Sequence, residues 1–567
     1  MKSIKYLFAA LAFVGMGATS CSDFGDVNVD PEHPNQQNMD YTFVFSQVQH
    51  QALGSDWDVW RNGLIYSGQF VQHVTAIENW STYNCYAWSD GYSSAYWEAL
   101  YKGSRGAIRD VQDVLRSWNG KAGYENDYQM ARIMRAYLFH RMTDLYGDIP
   151  YSEAGQADLT YYPKYDKQKD IYTDLLKELD EAQDALTEGS TAYMAKHDLY
   201  MNGNVDKWKK FANSLMLRVA MRLTKVAATD ADAKQLLQTY IAKATRENGK
   251  YLITDAADNV YLNHTDGNSA DDSAEPYAKI FGNSDPGIFY LSKTFVDQLK
   301  NTSDPRLALI GTVCENPTYN SSNAKYEMGN TDPSVQRGLP NGGYTASQND
   351  ERYIGNSKYG DVATEFNSLI TKADGTKDVE LYRSKYSVAN RYTYGNEKSP
   401  TMIVTAAETN FLLAEAVVEG YITGDAKAYY EAGVRAAMKQ FSAYTSDGAV
   451  ALYKQYLTDD AIEAYLAANP FASSKEAQLE QLGTQYWIAT FCDEYESFAN
   501  WRRTGYPKLV EERTAAYAQS ATNNKTIPRR FTYPSAEEQN NNEHYKEAVS
   551  RLSDGNTFTS RMWWDAK

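Results

Sequence analysis

Residues 199–223 read LYMNGNVDKWKKFANSLMLRVAMRL. Trp208, Phe211, Ala212, Leu215 and Val219 recur at helical spacing and form one apolar face. Met216, Ala220 and Leu223 widen that face, so the helix is expected to be buried on most sides. A helix enclosed in this way needs other helices around it. The pattern therefore predicts a mainly α protein, with Trp208 as a buried anchor.

Helical spacing continues outward in both directions. Trp97, Leu100, Tyr101, Ser104, Ile108, Val111 and Leu115 keep phase, which assigns Trp97 to the core. RAYLFHRMTDLYGDIPY (135–151) ends a second helix, with Gly147 just past its last periodic residue and Pro150 beyond. His140 in this helix reads as a core residue. A further helix is expected over 170–186. Helices return at 405–420, 425–444 and 474–501, and a last one after Pro534. Ser535 and Glu538 have the spacing of a capping box there.

Between about 251 and 400 the character changes. The stretch holds seven of the fifteen prolines, GNSDPG, LPNGG and many Asn. It predicts long loops and short strands, with one helix near 291–300. Loops of this length usually carry binding. The helical parts 41–250 and 401–567 are expected to form a single domain around it, since no low-complexity linker divides them.

Residues 1–20 have a basic start at Lys2 and Lys5, then an apolar run from Leu7 to Val14, too short to span a bilayer. Small residues and Cys21 follow, which resembles a bacterial lipobox. Residues 1–20 then form a signal peptide, and Cys21 is the lipidated mature N-terminus. Residues 21–40 are polar and acidic and read as a tether. Beyond the leader, no apolar run reaches the ~18 residues of a spanning helix.

The whole sequence carries 73 acidic against 56 basic residues, a net charge of −17. Such a body repels nucleic acid. Cys85, Cys314 and Cys492 are odd in number and widely spaced, with no CxxC clip, and read as buried thiols, with one bridge between distant loops as the other reading. None of the seven His forms HExxH or another two-His metal spacing, and no GxSxG, P-loop or GxGxxG occurs. Asp266, Asn268, Asp271 and Asp272 offer oxygen ligands but read as a solvated polar loop rather than a Ca²⁺ site. No catalytic residue, metal or cofactor is expected.

The chain also holds 46 Tyr, 11 Trp and 19 Phe. The segment ENWSTYNCYAWSD (78–90) lacks helical period yet carries Trp80, Tyr83, Tyr86 and Trp88. Exposed rings usually cover something. Their flat faces stack on pyranose or furanose rings, and Asn84 and Asp90 are placed to take hydroxyls. Asp56 and Trp57 are candidates for the same face, although Asp56 also reads as a helix cap. The middle region adds Tyr277, Tyr344, Tyr353, Arg391, Tyr392 and Tyr394. Arg391 and Tyr394 are the pair with a fork donor and a stacking ring. Each ring has a second reading as plain packing.

Several phrases, in order, carry a resemblance: YWEALYKGSRGAIRDVQDVL, RAYLFHRMTDLYGDIPYSEA, the 199–223 stretch, DPRLAL, ETNFLLAEAVVEGYITGDAKAYYEAGVRAAM, YWIATFCDEYESFANWRRTGYP and RRFTYPSAEEQNNNEHY. Together they resemble the SusD/RagB family of outer-membrane nutrient-binding lipoproteins. The resemblance implies a tetratricopeptide-like bundle of paired helices with a loop-rich ligand face and a few short strands. It implies a lipid-anchored protein exposed at the cell surface, which captures an oligosaccharide for a SusC-like, TonB-dependent transporter. It places the 78–90 segment where the family often contributes a stacking Trp. An oligopeptide ligand and, in another class, a helical glycosidase are the alternative readings.

Overall fold

A computed structural model describes residues 39–102, 106–265, 273–284, 288–314, 329–341, 371–376, 385–511, 520–523 and 525–566. Cys21, Tyr344, Tyr353 and the Asp266–Asp272 loop lie outside these residues. The protein is mainly helical. Its principal helices are α1 (Tyr41–Gln51), α2 (Ala107–Trp118), α3 (Glu125–Tyr146), α4 (Gln168–Ala185), α5 (Val205–Met221) and α6 (Ala231–Ala244) in the first half. In the second half they are α7 (Ala406–Glu419), α8 (Ala426–Lys439), α9 (Lys475–Ala489) and α10 (Glu494–Thr504). From α2 to α6 each helix packs on the next, and α7 packs on α8 and α9. This is the paired-helix arrangement expected.

Local sequence explains the ends. Asn204 caps α5 by accepting from Lys207 N, and Asp425 caps α8 by accepting from Ala428 N. Thr405 and Glu408 make a reciprocal capping box on α7, which stops at Gly420 in the left-handed region at φ 83°. Gly147 ends α3 at φ 87°.

Two expectations are corrected. The helix expected over 474–501 is broken: α9 stops at Ala489, Cys492 takes φ 69°, and α10 restarts at Glu494. The break turns three acids toward the first half of the chain, as described below. Ser535 and Glu538 form no capping box, because Pro534 is the cap and the helix spans Ser535–Asn540. Ser535 instead donates its N–H and hydroxyl to Asp90, at 3.0 and 2.6 Å.

Eight short strands pair antiparallel as four two-stranded ribbons among the described residues. One joins β1 (Val74–Ala76) to β5 (Phe289–Leu291), with Ile77 N–H donating to Ile288 O. It ties the loop-rich middle to the start of the aromatic segment. Another joins β4 (Val260–Leu262) to β8 (Thr401–Val404).

The helices enclose a contiguous apolar core that draws residues from Phe45 to Trp564. Ionic pairs cross it. Arg218 on α5 and Arg222, the residue that caps its C-terminal end, are almost fully buried. Arg218 donates to both Glu408 oxygens at 2.9 and 2.8 Å and to Ile403 O. Arg222 donates to both Glu496 oxygens at 2.6 Å and to Asp144 at 3.1 Å. Arg141 on α3 reaches Asp493 at 2.9 Å, and His73 lies 2.7 Å from Glu494. Cys85 and Cys314 are buried.

Trp208 is fully buried against Phe45 and Phe211, and its indole N–H donates to Asp198 at 2.8 Å. Trp208→Ala leaves a cavity and strips Asp198 of a donor. A loss of about 3–5 kcal/mol is expected in chemical denaturation. An unchanged midpoint would show that the site relaxes around the loss.

Candidate ligand-binding site

The site begins at the turn 54–58. Ser55 caps a short helix, Asp56–Asp58, and the Asp58 carboxylate accepts from Ser55 N–H and hydroxyl at 2.9 and 2.7 Å. The chain runs on as a π-helix, Val59–Gly68. Such winding is rare and frequent at functional sites. A Cβ on Gly68 would lie 3.1 Å from Val74 Cγ2, so glycine lets this wide helix sit on β1. Asp56 is therefore a residue of the first turn rather than its cap, and its carboxylate pairs with Lys279 at 3.4 Å.

Trp57 is 57 % exposed. Its ring stacks on Trp60 at 5.0 Å and 22°. The Arg61 guanidinium lies 5.1 Å from the centre of the Trp57 ring and donates to Trp57 O, Asp58 and Gly91 O. Trp60 meets Trp80 edge-on at 5.5 Å and Tyr92 at 5.7 Å. Tyr92 meets Tyr83 at 5.2 Å, and Tyr83 meets the buried Tyr66 at 5.6 Å. The rings thus run unbroken from solvent at Trp57 to the core at Tyr66. Arg61 packs against the outermost one.

Trp80, Tyr83 and Asn84 lie on a 3₁₀ helix, Glu78–Cys85, rather than in a loop. Its three-residue turn does not produce the 3.6 spacing that sequence patterns report. Trp80 and Tyr83 are half-buried. Tyr86 closes the helix at φ 64° and is fully buried, donating its hydroxyl to Glu511 O at 2.6 Å. Trp88 is 51 % exposed, and its indole N–H donates to Thr532 at 3.0 Å. It follows the same segment but shares no ring contact with the Trp57–Trp80 group among the described residues.

Other expected site residues are placed differently. Asn84 is buried, accepts from the Thr75 hydroxyl and donates to Ala76 O, both at 3.0 Å. Its amide holds the segment to β1 instead of facing a ligand. Asp90 is engaged with Ser535. Tyr394 is 6 % exposed and packs edge-on against Phe491, Tyr444 and Phe441. Arg391 is 5 % exposed. This pair lies in the interior, because the turn after β7 (Ser387–Ala389) folds inward under Ser446, whose hydroxyl donates to Tyr392 O. Trp60, Arg61 and Tyr92 were missed. The signal for them was the Trp57–Trp60 spacing of three, which stacks the two rings on one helical edge.

A cavity of about 400 Å³ opens beside Asp56, lined also by His50, Gln51, His264, Pro276 and Lys279. A buried hydrogen-bonded chain backs it. His264 Nδ1 lies 3.0 Å from Ser273 O, and a carbonyl only accepts, so Nδ1 carries a proton. Burial pushes His264 down to about 4, so Nε2 accepts from the Thr401 hydroxyl at 2.8 Å. Thr401 Oγ1 is 3.0 Å from Glu275 Oε1. Its single hydroxyl hydrogen has two acceptors within reach, His264 Nε2 and Glu275 Oε1. Burial pushes Glu275 up to about 7 against weaker lowering by Ala278 N–H and Thr401. Among the described residues no cluster of three metal-ligating side chains occurs. No helix there is long and apolar enough to cross a membrane.

A helical scaffold thus carries a wall of rings to its surface, beside a polar cavity. A family profile described as SusD-like, "Starch-binding associating with outer membrane", matches residues 34–534, and the chain belongs to this family. No curated protein matches the sequence. Among solved structures the chain is similar to a chitin-binding protein, at 29 % identity and TM-score 0.73, covering 93 % of this chain and 100 % of that one. It is similar to a Bacteroidetes SusD-like protein at 28 % identity and TM-score 0.74, with the same coverage. A SusD homolog from Bacteroides uniformis shares the fold at 22 % identity and TM-score 0.69, again over 93 % and 100 % of the two chains.

The raised Glu275 gives a pH signature. In the unfolded chain its carboxyl titrates at the ordinary 4.5, and in the folded protein near 7. Its contribution to stability is full below about 4.5 and is lost as pH rises through about 7. Glu275→Gln keeps a donor toward Thr401 without the charge. The melting temperature of this variant is expected to fall less than the parent's across that window, the remaining fall belonging to Glu408, which burial also pushes up to about 7. Identical profiles would place the titration elsewhere.

Proposed function

We propose that this protein is a glycan-binding lipoprotein of the outer-membrane surface, which captures an oligosaccharide and passes it to a SusC-like, TonB-dependent transporter. The observation that carries the binding role is Trp57, more than half exposed yet held rigidly by Trp60 and Arg61. A large bare ring kept in one orientation is a stacking surface waiting for a flat apolar partner. Sugar rings have such a face, and the neighbouring Asp56 and Lys279 offer an acceptor and donors for hydroxyls. Trp80 and Tyr83 extend the wall, and Trp88 adds a second exposed ring further along the segment.

The chitin-binding relative supports a β-linked N-acetylglucosamine oligomer as the first ligand to test. Transfer to a transporter, lipidation at Cys21 and exposure at the cell surface follow the SusD resemblance and the lipobox-like Ala18-Thr19-Ser20-Cys21. The binding role is favoured over a glycosidase. Glu275 and Glu408, the carboxyls pushed up to about 7, are both buried and committed to helix starts, so neither is placed as a general acid for a substrate.

Calorimetry with chitin oligosaccharides tests the wall. Trp57→Ala and Trp80→Ala are each expected to cost about 1–3 kcal/mol, the size of base–aromatic stacking, or roughly ten- to a hundredfold in affinity. Trp57→Ala should leave the melting temperature in place because the ring is outside the core. Parent-like binding by both variants would remove the wall as the site.

The anchor is tested by fractionation. Cys21→Ala is expected to move the protein from the membrane fraction to the soluble one. A variant that still needs detergent for release would contradict lipidation at this position.

A further inference from the structure

The net charge is −17, yet one pocket is cationic. It measures about 330 Å³ and lies at the C-terminal end of α10, far along the sequence from the ring wall. Its lining includes Lys225, Arg502, Arg529, Arg561 and Lys508, with Glu511 as a carboxylate. Behind it, the fully buried Asp565 accepts from Lys225 at 2.7 Å, Arg529 at 2.6 Å and Arg561 at 2.9 Å. One carboxylate thus serves three cations.

Arg502 adds a fourth cation with no carboxylate of its own. Its N–H groups donate to the carbonyls of Phe498, Asp144 and Arg529 at 3.1, 2.7 and 3.0 Å, and to the Met562 sulfur. Arg503, also at the rim, is neutralised by Glu415. The end of α10 supplies about half a negative charge, and Lys225 and Arg529 donate to its Arg502 O. Lys508 is matched by Glu476 and Glu480 at 3.6 and 3.5 Å; against Asp565, Glu511 and the helix end, the other four cations leave a surplus of about 1.5 positive charges.

Two further observations fit an anion ligand. Burial pushes the Lys225 ammonium below its ordinary value, and Arg529 and Arg561 add to this against the pull of Asp565. The indole N–H of Trp501, a lining residue 3 % exposed, has no acceptor among the described residues. The volume equals that of roughly ten waters, ample for a hydrated oxyanion.

We infer that this pocket is an anion site that takes a doubly charged tetrahedral oxyanion, phosphate or sulfate, free or as an ester on a sugar. Guanidinium and ammonium groups line it, and such groups recognise the oxygens of a tetrahedral oxyanion. The site is separate from the ring wall and does not depend on the identity of the glycan bound there.

The test is calorimetric titration of inorganic phosphate and sulfate into the purified protein at low ionic strength, with chloride as control. One saturable site per chain is expected for both oxyanions. Arg561→Gln is expected to weaken it about tenfold, the size of one charge-assisted hydrogen bond. Lys508→Gln, at a side chain 61 % exposed whose pairs with Glu476 and Glu480 are solvent-exposed, should weaken it while the protein stays folded. It therefore decides the matter even if the Arg561 variant fails to fold. Glucose 6-phosphate separates the sources: tighter binding than phosphate identifies the ester, and equal or weaker binding the free ion. No saturable heat with either oxyanion, or parent-like affinity in a folded Lys508 variant and in any folded Arg561 variant, overturns the assignment.

Discussion

Three acids at the start of α10 hold the two halves of the chain together. Asp493 takes Arg141 of α3, Glu494 takes His73 ahead of β1, and Glu496 takes Arg222 at the end of α5. Negative charge is favourable at a helix start, so the helix and its partners draw on the same carboxylates. Buried charges are costly unless paired and hydrogen-bonded. Here the pairing is dense. Glu496 also accepts from Tyr486 at 2.8 Å. Burial alone would raise Asp144 and Glu496, but His140 and Arg222 on the first, and Arg222 and Arg218 on the second, hold both below their ordinary values. Removing one partner would strand a charge in the core. The pairs therefore fix which helices meet.

The same constraint places the ligand wall. His73 is clasped by Glu494 and by Trp487 O, and the next residue begins β1. β1 is paired with β5, and Asn84 is bound back to Thr75 and Ala76. The 3₁₀ helix that carries Trp80 and Tyr83 is thus pinned at both ends to the ionic centre. Trp57 is pinned separately through Arg61, Asp58 and the Trp60 stack. Rigid rings lose little entropy when a ligand lands on them, which is where a binding surface gains affinity.

Much of the scaffold was legible in the sequence because it follows helical periodicity. Trp208 and Trp97 keep phase and are buried, and Gly147 and Gly420 stop their helices in left-handed backbone. What escaped was set by other rules. The break at Cys492 carries no Gly or Pro, and it forms because Asp493, Glu494 and Glu496 find partners hundreds of residues away. The 3₁₀ and π segments at 59–85 have periods that a 3.6-residue pattern cannot register. Asn84, Tyr86 and Tyr394 have the composition of a binding loop but lie inside. Polar tips let Tyr and Asn enter a core when a carbonyl is within reach. Only tertiary contact decides that.

The account rests on sugar rings lying against Trp57 and its backing rings. A crystal structure of the protein with a bound chitin oligosaccharide tests this most directly. The account predicts a pyranose face stacked on Trp57, with the chain running toward Trp80 and hydroxyls reaching Asp56 and Lys279. An oligosaccharide seated elsewhere, with Trp57 bare to solvent, would contradict it.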